Sequence, residues 1–136
     1  MEIQACETIA RVSKPIPDDV RALTTLVDEW LDLSAAGAEL GVSASRVAQL
    51  VKDHQLAAAV PVPREGLKVP AALFDEGAIV KGVSGIITVL HDGSYTDVEI
   101  ITWLFTADDT LPGRPIDALR ENRGSEAKRR AQAMAL

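Results

Sequence analysis

Five polar side chains between residues 43 and 52 are of types that hydrogen-bond to bases and phosphates. Arginine can bind guanine edges, glutamine can bind adenine, serine can bind bases or phosphate, and lysine can bind phosphate. Three apolar residues, Val47, Leu50 and Val51, are interleaved with them at helical spacing, which predicts an amphipathic helix with the polar set facing outward. The set consists of Ser43, Ser45, Arg46, Gln49 and Lys52.

A second short helix precedes this one, and a tight corner joins the two. The Ala-rich segment from Ser34 to Leu40 favours a helix, for which Ser34 is the predicted N-cap. Gly41 then ends it, since glycine takes a positive φ without steric cost. Gly37 is small enough to lie where two helices cross. The pair predicts a helix-turn-helix with a shared apolar core of Leu40, Val42, Val47 and Leu50.

The residues after the second helix predict a β-hairpin wing. Two short extended runs, 57–60 and 67–69, flank the turn sequence PVPREG. Arg64 at the tip and Lys68 on the return strand are candidate contacts to backbone phosphate. A short third helix is expected over 70–74, since proline favours the first helical position.

The N-terminal region divides into a tail and a lead-in to the helix pair. Residues 1–17 hold no sustained helical or alternating period, so we expect a flexible tail in which Thr8 is an exposed candidate for phosphorylation. The helical spacing of apolar residues from Val20 onward competes with a strand in EWLDLS. We expect a helix or turn over 18–27 and an extended segment over 29–33.

The pattern beyond residue 75 is helical. GIITVLHDG predicts a buried helix ended by Gly93, with His91 in its last turn facing the helix dipole. The pair Thr96 and Glu99 is a capping-box pattern that starts a helix running through Phe105. Two more helices are expected, with Pro115 as the first residue of one and Ser125 as the N-cap of the other.

These elements predict a mainly α fold with a small β wing. Their order matches a winged helix-turn-helix domain, predicted over residues 18–75, followed by a helical C-terminal domain over 76–136. The function that fits such a module is binding of double-stranded DNA.

Charge is distributed unevenly along the chain. The formal net charge of −6 weighs against binding to a polyanion, but residues 43–70 carry a net charge of +2. Residues 71–112 carry −6, and residues 113–136 carry +3. Attraction to phosphate depends on the potential within about 8 Å of the surface at physiological salt. The acidic total therefore weakens the DNA-binding hypothesis without excluding it.

Composition and motif content favour a soluble, cytoplasmic or nucleoid-associated protein that is not an enzyme. The single Cys6 cannot form an internal disulfide, which fits a reducing compartment. No apolar run approaches the roughly 18 residues of a membrane span, and no export signal is visible. Cys6, His54 and His91 do not make a metal-ligand set, and no nucleophile-elbow or phosphate-loop motif is present. We therefore expect no catalytic residue, no metal and no cofactor.

The chain resembles the small actinobacterial winged helix-turn-helix DNA-binding proteins, which join such a module to a helical C-terminal domain. The similarity covers about residues 26–136 and includes the segments TVLHDGSYTDVEIITWLFT and RRAQAMAL. The resemblance implies that the helix over 43–53 and the wing contact DNA. We therefore expect a transcriptional regulator or an architectural DNA-binding factor. The tail segment ETIARVS is similar to the start of such proteins, where a threonine can be a target of Ser/Thr protein kinases. On this chain that residue is Thr8.

A second resemblance suggests an alternative function. WLFTADDTLPGRPIDALRENRGSEA is similar to the toxin-binding domain of Xre/ParS-type antitoxins, which bind a protein partner or dimerise. The alternative is therefore a protein-interaction module that binds its partner through residues 84–136. Packing of the tryptophan and leucine in the core would explain the same pattern. The matched positions are Trp103, Leu104, Gly113, Arg114, Pro115 and Leu119.

Overall fold

The computed structural model describes residues 20–111 and 113–136. The predicted tail over 1–17, with Thr8, lies outside these residues. The helices are α1 (Val20–Leu26), α2 (Leu33–Leu40), α3 (Ala44–Lys52), α4 (Val83–Asp92), α5 (Asp97–Leu104), α6 (Pro115–Arg120) and α7 (Gly124–Met134), with a 3₁₀ turn at Ala71–Leu73. The strands are β1 (Trp30–Asp32), β2 (Lys68–Pro70), β3 (Phe74–Asp75) and β4 (Ala78–Ile79).

The N-terminal half is a winged helix-turn-helix. β1 and β2 pair antiparallel, with Leu31 opposite Val69. A single bridge adds the outgoing arm of the wing to this sheet: the Ala59 N–H donates to the Lys68 carbonyl at 3.0 Å, and the Lys68 N–H donates to the Ala59 carbonyl at 2.8 Å. The order helix, strand, helix, helix, wing and return strand agrees with the predicted fold class.

The corner between α2 and α3 depends on a close backbone approach. A Cβ atom on Gly37 would lie 2.5 Å from the Val42 carbonyl oxygen, so a side chain cannot fit there. Gly41 takes φ 73°, as predicted for the residue that ends α2. Val47 is fully buried and Leu50 is partly buried beneath α3, as expected.

Val42 is not part of the shared core, contrary to the prediction. Its side chain is 39% exposed. The reason is that its carbonyl oxygen, rather than its side chain, faces Gly37 across the corner. The apolar pattern alone does not distinguish these two orientations, because Val42 lies in the turn and outside any helical period.

Two helix caps are predicted correctly. The Ser43 hydroxyl accepts from the Arg46 N–H at 3.1 Å and caps α3. The capping box of α5 is complete, with reciprocal hydrogen bonds between Thr96 and Glu99. α5 ends at Leu104, one residue before the predicted end.

Two predicted N-caps are wrong. α2 begins before Ser34, because the Asp32 carboxylate accepts from the Ala35 N–H at 2.7 Å, and a negative charge at a helix N-terminus is favourable. Ser125 lies inside α7, which follows α6 after a turn closed by the Arg123 N–H and the Ala118 carbonyl at 2.7 Å. The helix begins at Gly124 with Arg123 in the N-cap position, so Ser125 is two residues too late to cap it.

The wing region also differs from the prediction. The expected hairpin over 57–60 and 67–69 is reduced to the Ala59–Lys68 bridge, since Pro61 and Pro63, just after the outgoing arm, have no N–H with which to extend the pairing. The expected helix over 70–74 is a single 3₁₀ turn, because Pro70 pairs with Trp30 as the last residue of β2. Phe74 begins the short β3–β4 hairpin, which the sequence analysis did not predict.

The four C-terminal helices pack into the same hydrophobic core as the winged helix-turn-helix. α4 begins at Val83, two residues before the predicted start. None of the described helices has the length and apolar character needed to cross a membrane. The continuous buried cluster joins the N-terminal side chains Leu23, Val47, Leu56, Val69 and Leu73 to Ile86, Ile87, Leu90, Ile100, Ile101, Leu104, Ile116, Ala127 and Ala131.

Asp108 connects three parts of the C-terminal half. Its carboxylate accepts from Trp103 Nε1 and Arg130 Nε, each at 3.2 Å, and from the backbone and hydroxyl of Thr110 at 2.9 and 2.7 Å. Burial alone would raise the pKa of Asp108, but the hydrogen bonds from Thr110, Trp103 and Arg130 lower it from 3.8 to about 2. The carboxylate therefore joins α5, the following loop and α7.

We expect Gly37→Ala to lower the free energy of unfolding by about 1–3 kcal/mol, because the new methyl group meets backbone that is fixed by two helices. Gly85→Ala is the matched control. It lies in α4, where an added Cβ meets nothing within 4 Å, and should raise stability by about 0.5–1 kcal/mol. Urea denaturation followed by circular dichroism measures both. A Gly37→Ala variant as stable as wild type would contradict the close approach.

We expect the destabilisation caused by Asp108→Asn to depend on pH. Because the pKa of Asp108 is lower in the folded state, its ionised form stabilises the fold above about pH 4, and this contribution is lost as the pH falls towards 2. The difference in unfolding free energy between wild type and Asp108→Asn should therefore shrink over that interval. Urea titrations followed by tryptophan fluorescence measure it, with the exposed neighbour variant Asp109→Asn as control. A difference that is constant from pH 6 to pH 2 would contradict this expectation.

Candidate nucleic-acid interface

The outer face of α3 carries four exposed polar side chains: Ser45, Arg46, Gln49 and Lys52. Val47 packs the opposite face of α3 into the core, and the hydrogen bond from Ser43 caps the first turn of α3. The face is therefore held rigidly by the helix-turn-helix corner and is open to a partner. The structure therefore brings together on one face four of the five polar residues predicted to face outward from this helix.

The polar side chains on this face differ in how far they are already engaged. The Ser43 hydroxyl is used in capping, and Gln49 Nε2 donates to Asp53 Oδ1 at 3.0 Å. Within the described part of the chain, Arg46 and Lys52 make no hydrogen bond or ion pair through their side chains. These two cations are free to bind an anion or a base edge without breaking an internal contact.

The two wing residues have different surroundings. Arg64 is exposed at the tip with φ 73°, and its guanidinium has no partner among residues 20–111 and 113–136. Lys68 is 24% exposed at its side chain, and its ammonium group lies 3.3 Å from the Glu65 carboxylate. A phosphate contact by Lys68 would compete with this ion pair, whereas one by Arg64 would not.

The residues behind α3 include a histidine pair that the sequence analysis missed. His54, just after α3, stacks on His91 of α4 with ring centroids 3.4 Å apart and ring planes at 22°. His91 lies in the last turn of α4, as predicted, but its ring contacts His54. No local pattern signals this contact, because the two residues belong to different halves of the chain. No group of three His, Cys, Asp or Glu side chains in the described ranges is arranged to hold a metal ion.

The side chains that suggested a protein-binding module are mostly in the core. Trp103 is only 6% exposed, Leu104 is fully buried, and Pro115 and Leu119 are also buried. Packing accounts for the conspicuous residues of the WLFT…GRPIDAL segment. Binding of a protein partner through residues 84–136 stays a prediction, without support from these side chains.

Both halves of the chain match known family models. Residues 15–74 match the family model described as the wHTH domain of DNA-binding protein Rv2175c, and residues 80–135 match the Rv2175c C-terminal domain of unknown function. DNA-binding protein Rv2175c of Mycobacterium tuberculosis (strain ATCC 25618 / H37Rv) is 40% identical over an alignment 143 residues long, which covers 94% of this chain and 94% of that protein. The chain belongs to the Rv2175c family.

The fold of the chain is also similar to a solved structure from this family. The NMR structure of Rv2175c superposes with a TM-score of 0.70 at 38% identity and covers 79% of this chain and 82% of that one. The resemblance to actinobacterial winged helix-turn-helix proteins is thereby confirmed, as is the fold class. The predicted domain limits and the predicted contact residues stay predictions, because membership of the Rv2175c family does not test them.

Proposed function

We propose that this protein binds double-stranded DNA, with α3 in the major groove and the wing against the neighbouring backbone. The observation that carries the proposal is the exposed face of α3, on which the side chains of Arg46 and Lys52 have no partner within the part of the chain that the structure describes. Membership of the family of Rv2175c, which is named a DNA-binding protein, supports the same function. Such a role places the protein with the DNA in the cytoplasm or at the nucleoid.

Each proposed contact follows from the chemistry of the side chain and from whether that side chain already has a partner within the protein. Arg46 is suited to a guanine edge, and Lys52 is suited to a phosphate near the end of α3. Gln49 can read adenine after releasing Asp53. Arg64 is the proposed phosphate contact of the wing. The remaining contacts would be made by Ser43, Ser45 and, after exchange of its ion pair with Glu65, Lys68.

The proposal extends to transcriptional regulation. A rigid α3 face with side chains suited to base edges gives a protein the means to select a DNA sequence, as a regulator of transcription requires. Selection would appear as tighter binding to some duplexes than to random ones at equal salt concentration.

We expect Arg46→Ala and Lys52→Ala to weaken binding to duplex DNA. A lost base contact costs about 1–3 kcal/mol, and a lost phosphate contact reduces the slope of log K against log salt concentration by about one unit. Fluorescence anisotropy at several salt concentrations separates the two effects. Arg123→Ala is a matched control, because it removes one positive charge from a side chain that, among the described residues, hydrogen-bonds to Glu121 and Leu111 of the C-terminal half. An Arg46→Ala/Lys52→Ala double variant that binds like wild type would refute the proposal.

We also propose, from the family resemblance, that a Ser/Thr protein kinase regulates this binding by phosphorylating Thr8. A phosphate adds about −1.5 to −2 charges at neutral pH, which repels DNA when the tail is near it. Affinity should therefore fall after phosphorylation, and the difference should shrink at high salt. Anisotropy on kinase-treated wild type measures the effect, with kinase-treated Thr8→Ala as control. Equal affinity of phosphorylated and unmodified protein would exclude this regulation.

A further inference from the structure

Side chains of the C-terminal half hold the segment that leads from α3 into the wing. The Ser84 hydroxyl donates to the Gln55 carbonyl at 2.8 Å, and the Thr88 hydroxyl donates to the His54 carbonyl at 3.1 Å. Ser84 and Thr88 are four residues apart in α4, so both hydroxyls lie on the helix face that meets this segment. These two hydrogen bonds attach the backbone just after α3 to α4.

A third side chain extends this attachment. The Asp97 carboxylate, at the start of α5, accepts from the Ala58 N–H at 3.2 Å. The intervening residues Leu56 and Ala57 are fully buried. The backbone over 54–58 is therefore fixed against the C-terminal half up to the last residue before the Ala59–Lys68 bridge.

Arg120 holds the other end of the wing. From the last turn of α6, its Nη1 donates to the Ala72 carbonyl at 2.8 Å and to the Phe74 carbonyl at 2.9 Å, and its Nη2 lies 3.8 Å from the Asp75 carboxylate. The planar guanidinium fixes the direction of several donors at once. It thereby fastens the 3₁₀ turn that follows the return strand β2.

The wing itself has few internal contacts. In the described residues, its two arms share the bridge between Ala59 and Lys68, and its tip adds the hydrogen bond from the Glu65 N–H to the Val62 carbonyl at 3.2 Å and the exposed ion pair of Glu65 with Lys68. Val62, Arg64 and Leu67 are exposed. A hairpin of this size is not stable alone. Its direction must come from the sheet pairing of β2 and from the two anchored ends.

We propose that the C-terminal domain, for which the family description gives no function, acts as a clamp that positions the wing on DNA. Ser84, Thr88 and Asp97 are the positioning residues on one side of the wing, and Arg120 is the positioning residue on the other. The proposal rests on the proposed DNA binding, because a positioned wing has its use when DNA is bound. None of these four side chains needs to touch DNA.

The first test measures the wing directly and needs no DNA. Hydrogen exchange of the Ala59 and Lys68 amides, followed by NMR, should be faster in Arg120→Ala and in Ser84→Ala/Thr88→Val than in wild type. Exchange of the α5 amides should be unchanged, because the apolar core remains. Arg123→Ala removes the same charge as Arg120→Ala and should leave both wing amides as in wild type. Wing amides that exchange at wild-type rates in both clamp variants would overturn the proposal.

The second test is a double-mutant cycle on DNA affinity. Arg120→Ala should weaken binding in the wild-type background and have a smaller effect when Arg64 is already alanine, since both act through the wing. A coupling of at least about twofold in Kd is expected. Additive effects would overturn the clamp, and so would an Arg64→Ala variant that binds like wild type. If Arg120→Ala acted only by destabilising the whole fold, it would change the affinity equally in the wild-type and Arg64→Ala backgrounds. The cycle therefore separates positioning of the wing from global stability.

The two tests distinguish failure of the clamp from failure of the proposed function. If wild type binds no duplex DNA, the proposed function fails, and the clamp's role in it fails with it, whatever the exchange rates show. If wild type binds DNA and Arg46→Ala weakens binding while the clamp variants do not, only the clamp fails. Arg120→Lys keeps the charge but loses the planar pair of donors, so it should resemble Arg120→Ala in wing exchange. If Arg120→Ala does not fold, Arg120→Lys replaces it in the wing-exchange test.

Discussion

The structure depends on the missing side chain of Gly37. The backbone of the corner at Val42 and Ser43 comes so close to α2 that a methyl group has no room, and this contact sets the angle at which α3 leaves the corner. Ser43 then starts α3, and Val47 anchors its inner face in the core. The outward direction of the polar side chains follows from these steps. A change in the crossing would rotate the whole candidate interface.

Local signals predicted much of the fold. The wrong N-caps at Ser34 and Ser125 reflect competition between neighbouring residues, whereas other failures come from contacts between distant residues. Three features were predicted from residues only a few positions apart, so a short stretch of sequence is enough to recognise each. They are the cap at Ser43, the end of α2 at Gly41 and the capping box of α5. The expected helix over 70–74 failed because Pro70 pairs with Trp30, a contact between distant residues. Propensity is a weak signal wherever such a contact competes with it.

The same distinction applies to the candidate site. Helical periodicity was enough to predict which side of α3 is exposed, since that depends on the spacing of a few residues. It did not predict that Gln49 is engaged by Asp53 or that Lys68 is paired with Glu65, because side-chain conformations decide both. The contacts of α4, α5 and α6 with both ends of the wing lay beyond any local pattern, and they appear only when the two halves are packed on one core.

The positions of the charges, more than their sum, bear on how an acidic chain can carry a DNA-binding surface. The C-terminal residues 113–136 carry a net charge of +3, but most of their arginines are bound to carboxylates within the C-terminal half or to the β3 carboxylate, in the pairs Arg114–Asp117, Arg120–Asp75, Arg123–Glu121 and Arg130–Asp108. By contrast, the α3 and wing-tip cations, Arg46, Lys52 and Arg64, have no such partner among the described residues. Lys81, Lys128 and Arg129 are also without an ion pair among the described residues, so unpaired cations are not confined to the winged helix-turn-helix. What distinguishes Arg46, Lys52 and Arg64 is their position on the exposed face of α3 and at the wing tip, and attraction to phosphate depends on such local charges more than on the sum over the chain.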